Sequence, residues 1–267
     1  MTDIGRGAAP DFIEALARGL DVLRSFRSGN PAMTLSEIAT LTGLARPTVR
    51  RILITLEQLN YVRADGRGYA LTPRVLELGM AYVHSLNLWQ VARPHMEKLV
   101  AQTGESTSMA QLDGSDIVYV ARVAVPKIVT LAVNIGTRFP APPTSMGKVL
   151  LAALPAADLP GVLAEPSRSG ITPRWQPSAE DLDRALREVR VKGWALADQD
   201  LAPGIRSVAT GVRDGEGRVV AAINVTVHAA ETSVETLVDD HLPMLLRTAA
   251  NISHDWSLIA SIPAITV

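Results

Sequence analysis

Residues 34–62 read TLSEIATLTGLARPTVRRILITLEQLNYV, and the order of caps, turns and apolar steps in this stretch decides the fold of the N-terminal part. Thr34 followed by Glu37 is a capping box: the hydroxyl accepts from the backbone N–H three residues on, and the carboxylate accepts from the N–H of the cap. The helix it opens is expected to bury Leu35, Ile38, Ala39 and Leu41, and Gly43 closes it after about two turns. Arg46-Pro47 starts another helix, because proline's missing N–H is not needed at the first helical position. Val49, Ile52, Leu53, Leu56 and Leu59 recur at spacings of three and four and form its buried stripe. Arg46, Thr48, Arg50, Arg51, Ile54 and Thr55 are left to other faces.

Upstream, Phe12, Leu16, Leu20, Leu23 and Phe26 form a helical stripe over 11–27 that ends at Gly29-Asn30-Pro31. Downstream, Tyr61-Val62-Arg63 and 68–71 flank Asp65-Gly66-Arg67, and Asp-Gly between short apolar runs is a hairpin signal. Helix, capped short helix, glycine turn, helix and hairpin is the order of a winged helix-turn-helix. With its aliphatic side buried, the third helix has Arg46, Thr48, Arg50 and Arg51 free to meet a major groove. There an arginine can bridge guanine O6 and N7 or bind phosphate. For Arg51 the alternatives are an ion pair with Glu57 or a phosphate contact. Arg63 and Arg67 on the hairpin are expected to meet the backbone or minor groove beside it. Charge agrees in sign: residues 1–74 carry ten arginines and no lysine against seven acids, +3, whereas the rest carries sixteen basic residues against twenty acids, −4.

Beyond the hairpin, 73–88 reads as a linker helix opened by Pro73, and a helix over 89–102 stops at Gly104. The period then changes to two. Strands are expected at 106–112, 117–124, 128–133, 195–197, 208–213 and 219–227, with helices at 144–154, 158–164, 178–192 and 234–259. Hairpin turns at 113–116 and 214–217 suggest an α+β domain built on an antiparallel sheet. The expected organisation is a DNA-binding domain over 11–72, a linker over 73–88 and a second domain over 89–260.

Several function classes drop out. There is no cysteine among the 267 residues, so disulfides, thiolate metal sites and a cysteine nucleophile are excluded, in keeping with a reducing compartment. No window approaches the roughly 20 apolar residues of a membrane helix and no leader is recognised, so a cytoplasmic protein without membrane contact is expected. Ser145-Met146-Gly147-Lys148-Val149 is no P-loop: Pro142 stands where the first glycine belongs and Val149 where Ser or Thr belongs. His84, His95, His228, His241 and His254 lack ligand spacing and read as satisfied or surface histidines, and Asp239-Asp240-His241 as a helix-start charge cluster. No GxSxG elbow is present. No catalytic residue, metal or cofactor is expected.

The stretches ALARGLDVLRSF (15–26), 34–62 and GYALTPRVLELG (68–79) resemble the DNA-binding half of the IclR family of bacterial regulators. IGTRFPAPPTSMGKVLLAAL (135–154) and VRVKGWALADQDLAPGIRSVATGVRDGEGRVVAAINVTV (189–227) are similar to its second half. The resemblance runs from about 15 to 252 and is nearest the branch controlling β-ketoadipate-pathway and related aromatic-acid genes. It implies a winged helix-turn-helix, a linker helix and a GAF-like effector domain. It further implies homodimers, or dimers of dimers, on palindromic double-stranded operators, and a small carboxylate effector such as an aromatic acid or a β-ketoadipate-like metabolite. The family's effector pocket carries over to Ile128, Phe139, Ser145, Met146, Ile205, Ser207, Asn224 and Thr226. Ser145 and Met146 fall at a helix N-terminus, whose N–H groups suit a carboxylate. Two departures bear on the ligand: Met146 is bulkier than the small residue frequent there, and Ala197 stands where some members carry an acid, with Asp198 beside it. The rival reading is a constitutive dimeric DNA-binding protein whose C-terminal domain only oligomerises.

Overall fold

The computed structural model describes residues 11–26, 32–66, 68–79, 88–126 and 133–260. The chain divides into two compact units, Met1–Ser85 and Leu86–Val267.

In the first unit, helices α1 (Glu14–Ser25), α2 (Leu35–Thr42) and α3 (Arg46–Gln58) precede a two-stranded hairpin, β1 (Val62–Ala64) and β2 (Tyr69–Leu71). The capping box forms: Thr34 Oγ1 accepts from the Glu37 N–H, and Glu37 Oε2 accepts from the Thr34 N–H at 2.7 Å. These bonds hold the Glu37 carboxyl below the usual carboxylate range. Gly43 ends α2 at φ 70°, a left-handed conformation in which other residues are strained. Tyr69 exchanges two backbone hydrogen bonds with Met33, which adds a third short segment to the hairpin. Val22, Met33, Ile38, Val49, Leu53, Leu56 and Val62 make the core.

Three expectations are corrected here. Leu41 and Leu59 are exposed, because Thr42 turns inward at the end of α2 and α3 ends at Gln58, leaving Leu59 as its C-cap. The expected row Phe12, Leu16 and Leu20 is also exposed, Phe12 lying before α1, since α1 meets α2 and α3 through Val22 and Ser25, with Leu23 and Phe26 packed alongside. Pro73–Val75 forms a 3₁₀ turn, helical structure continues to Gly79, and the remainder of the expected linker lies outside the described residues.

The second unit is a six-stranded antiparallel sheet in the order β5-β4-β3-β8-β7-β6. Its strands are β3 (Ser106–Asp113), β4 (Asp116–Val123), β5 (Arg138–Pro140), β6 (Trp194–Asp198), β7 (Ile205–Arg213) and β8 (Val219–His228). One face packs on α4 (Leu88–Thr103) and the C-terminal α8 (Leu242–Ala260), burying Met96, Leu99, Ile223, Val225 and Leu245. The other packs on α5 (Ser145–Ala153) and α7 (Ala179–Lys192), burying Leu151, Leu186, Ala209 and Ala222. The short α6 (Leu159–Ala164) lies between those two helices in sequence. The period of two is plain in β8, where 221, 223, 225 and 227 serve the first core and 222 the second.

Of the expected strand at 128–133, only Val133 is described, and it is irregular. The strand β5 was not foreseen: three residues ending in proline carry no alternation, and pairing of Phe139 with Ile117 holds them. Asp239-Asp240-His241 is not a helix start. It lies in a π-helical segment, Leu237–His241, between a turn at Val234–Thr236 and α8. There, among the described residues, the buried His241 Nδ1 has no hydrogen-bond partner.

Candidate nucleic-acid interface and ligand cavity

On α3 the arginines stand outside the core. Arg50 and Arg51 are exposed and Thr48 is half-buried. Arg46 is exposed as well but tethered, its Nη2 donating to Ser36 Oγ on α2 at 2.6 Å. No Arg51–Glu57 pair forms; Glu57 Oε1 accepts from the Ala64 N–H at 3.3 Å and joins α3 to the hairpin. Arg63 on β1 is exposed, and Arg67 lies outside the described residues. The first unit thus presents a helix whose outer side carries guanidinium groups, with a further one on the adjacent strand, an arrangement suited to phosphates and base edges.

The second unit holds a cavity between the N-terminus of α5 and the sheet. Strand register builds its polar floor in two rows. Arg122 lies opposite Ser108, which lies opposite Asn224; next to them Ser106 faces Thr226, and Thr226 faces Ser207. Phe139, Ser145, Met146, Ile205, Ser207, Asn224 and Thr226 all line it, so seven of the eight effector residues expected from the resemblance meet in one place. The eighth, Ile128, lies outside the described residues.

The hydrogen bonds distinguish supports from ligand-facing groups. Asn224 is largely spent: its Oδ1 accepts from the Ser108 N–H at 3.0 Å and its Nδ2 donates to Thr226 Oγ1 at 3.0 Å. The Ser145 and Ser207 hydroxyls bond to each other at 2.7 Å, which engages one proton and leaves the other for a ligand. Thr144 caps α5 by accepting from the Gly147 N–H at 3.0 Å, so the helix N–H groups next to the cavity are those of Ser145 and Met146. Gly147 is obligatory, since a Cβ there would stand 2.0 Å from the Ala141 carbonyl oxygen.

Arg122 was not foreseen. Its Nη1 donates to Ser108 Oγ at 3.0 Å; burial lowers its pKa from the ordinary guanidinium value, with Tyr119 acting in the opposite sense. Tyr119 lines the cavity beside it, packed edge-to-face on Phe139 with ring centroids 5.5 Å apart, and burial pushes its phenol up to about 12. The signal was present: Arg122 sits three residues after Tyr119 in a strand paired to serines, but its face depends on the bulge at Met109/Ala110. Glu105 and His228 also line the cavity, and Glu105 has a partner of its own. Ala197 faces the cavity, while Asp198 points away and accepts from Arg206 Nε at 2.7 Å, a bond that lowers its pKa. Lys148 faces away as well, donating to Asp200 Oδ2 at 2.6 Å and to the Leu196 carbonyl at 3.0 Å, over the ring of Trp175. Among the described residues no cluster of three or more His, Cys, Asp or Glu is placed to hold a metal, and no helix is long and apolar enough to cross a membrane.

A winged helix-turn-helix unit followed by a sheet domain with a polar, arginine-bearing cavity defines a class: DNA-binding regulators carrying a separate small-molecule domain. The IclR helix-turn-helix domain family matches residues 15–66, and the bacterial transcriptional regulator IclR C-terminal family matches residues 80–254. The chain belongs to the IclR family of bacterial transcriptional regulators. It is 38% identical to the Pca regulon regulatory protein of Pseudomonas putida, over 92% of this chain and 84% of that protein. It is 31% identical to the p-hydroxybenzoate hydroxylase transcriptional activator of Acinetobacter baylyi, over 90% of each. The crystal structure of an IclR homolog from Microbacterium hydrocarbonoxydans, complexed with 4-hydroxybenzoate, superposes with a TM-score of 0.78 at 26% identity, covering 91% of this chain and 99% of that one.

Proposed function

We propose that this regulator controls aromatic-acid catabolic genes and that a small aromatic carboxylate, bound in the cavity of the second unit, sets its affinity for its operator. The observation that carries the reading is the half-buried Arg122 guanidinium beside the Tyr119–Phe139 ring pair. Arginine's planar fork matches a carboxylate with two parallel hydrogen bonds, and an aromatic wall suits a flat ring. The names of the relatives and the 4-hydroxybenzoate bound by the Microbacterium homolog support the same chemistry. In this reading Ser145, Ser207, Thr226 and the first N–H groups of α5 meet the ligand's remaining polar atoms, Phe139, Met146 and Ile205 shape the apolar walls, and Asn224 holds the floor.

DNA is bound by the domain spanning 11–72, through α3 and the hairpin, with Arg46, Thr48, Arg50, Arg51, Arg63 and Arg67 as its contacts; 73–88 links it to the effector domain over 89–260. The protein acts as a homodimer, or a dimer of dimers, on a palindromic operator. The exposed apolar residues Phe12 and Ile13 just before α1, with Leu16 and Leu20 on it, support self-association. Thermal unfolding of the full-length protein with and without 4-hydroxybenzoate tests the ligand reading. Saturation at about 100 times Kd adds about 2.7 kcal/mol of stability. No upward shift with 4-hydroxybenzoate or any related aromatic carboxylate refutes it.

A further inference from the structure

We infer that Ile54 of α3 is a sequence-reading residue, packing on the C5-methyl group of a thymine next to a base contacted by Arg51. The inference rests on α3 being the element that enters the groove. Successive helical residues turn by about 100°, so the buried set Val49, Ile52, Leu53 and Leu56 fixes which side faces out. Pro47, Arg51, Ile54 and Gln58 fall within about 30° of the opposite direction, and Arg50 and Thr55 flank them at about 70° on either side. Arg51 and Ile54 are therefore central to the outward face, and Arg50 looks toward one flank, where a phosphate strand runs.

Ile54 is 42% exposed and belongs to neither the buried core of this unit nor its partly buried fringe. An isolated exposed isoleucine needs no explanation. Here, though, it is paired with Thr55 on the outer side of a helix, where β-branched residues are poorer formers than the alanine, glutamate or lysine that such positions favour. Thr55 also spends its hydroxyl proton inward, donating to the Arg51 carbonyl at 3.0 Å, which leaves its methyl group on the surface. The middle of the reading face is thus one guanidinium followed by apolar branches. The major-groove edge that matches branched hydrocarbon is the thymine methyl; the guanidinium's match is guanine. The flanking exposed arginines, Arg46 and Arg50 on α3 and Arg63 on β1, supply the cationic rim that holds a duplex there.

The test uses full-length protein and duplexes that it enriches from a random-sequence pool. Each thymine of the enriched half-site is replaced by deoxyuridine, which removes only the methyl group. Binding is expected to weaken about fourfold at one thymine per half-site, the worth of one buried methyl group. In Ile54→Ala the same replacement is expected to change nothing, while the melting temperature stays that of the wild type because the side chain supports no core. Methyl independence at every thymine, or an Ile54→Ala variant as methyl-sensitive as the wild type, overturns the inference. A pool that never enriches overturns the assignment of α3 as a reading helix, and the inference with it.

Discussion

Replacing Arg122 by methionine keeps the length and apolar stem of the side chain and deletes its charge. The guanidinium has five N–H donors, and its one hydrogen bond among the described residues goes to Ser108 Oγ, so a fork remains for a carboxylate. Charge-assisted bonds contribute about 1.5–3 kcal/mol each, and desolvation of the ligand offsets part of two such bonds. A net loss of about 2–3 kcal/mol is expected, or a 30- to 150-fold increase in Kd. Calorimetric titration with 4-hydroxybenzoate and with neutral 4-hydroxybenzamide separates charge recognition from shape. The wild type should favour the acid, and Arg122→Met should erase that preference while binding the amide about as before. Without ligand, the variant should melt no lower than the wild type, because a half-buried cation with no ion pair among the described residues costs stability. An acid-over-amide preference that survives the substitution refutes the assignment. An equal loss for both compounds with a lowered melting temperature makes Arg122 a brace for Ser108 and likewise refutes it.

Four further outcomes follow from the geometry. Gly147→Ala should cost more than about 3 kcal/mol in denaturant unfolding or prevent folding of the second unit, since the clash is with the backbone oxygen of Ala141. Thr34→Ala should lower the stability of the first unit by about 1 kcal/mol. Glu37's depressed pKa gives that cap a pH signature: the carboxylate's contribution is present above its unfolded value and fades as pH falls through the folded one. The gap between wild type and Thr34→Ala should therefore narrow at low pH by the share owed to the hydroxyl's bond to the carboxylate, leaving the share owed to its bond with the Glu37 N–H. For Tyr119 the sign is reversed. A phenol raised to about 12 adds stability that is whole below its ordinary value near 10 and fades as pH rises toward 12, so one of the four tyrosines should ionise last by ultraviolet titration and vanish in Tyr119→Phe. Arg50→Ala should weaken specific and random-sequence DNA binding alike and lower the salt slope by about 1, whereas Arg51→Ala should cost about 1–3 kcal/mol on the enriched sequence alone, both read by fluorescence anisotropy.

The DNA-binding unit was legible because its signals are local. A capping box, a glycine in the left-handed region, a proline at the first helical position and an Asp-Gly turn each act within four residues, and together they place α2, α3 and the hairpin wherever the rest of the chain goes. The row on α1 misled for the complementary reason: periodicity reports that a face is apolar, but not which neighbour covers it, and here Val22 met α2 and α3 while Leu16 and Leu20 did not. Strand β5 carried no periodic signal, as it exists through pairing with β4.

The cavity divides along the same line. Alternation along β8 alone sets Asn224 and Thr226 on one side of a strand, and Thr144 with Gly147 alone marks a helix start. That Asn224 is consumed by Ser108 depends on cross-strand register between segments 116 residues apart, and that Asp198 turns to Arg206 and Arg122 to Ser108 depends on how neighbouring strands pair, not on either strand alone. Short-range sterics and hydrogen bonding are written into neighbouring residues. Which side chains face one another across a sheet is a long-range packing outcome that no single stretch encodes.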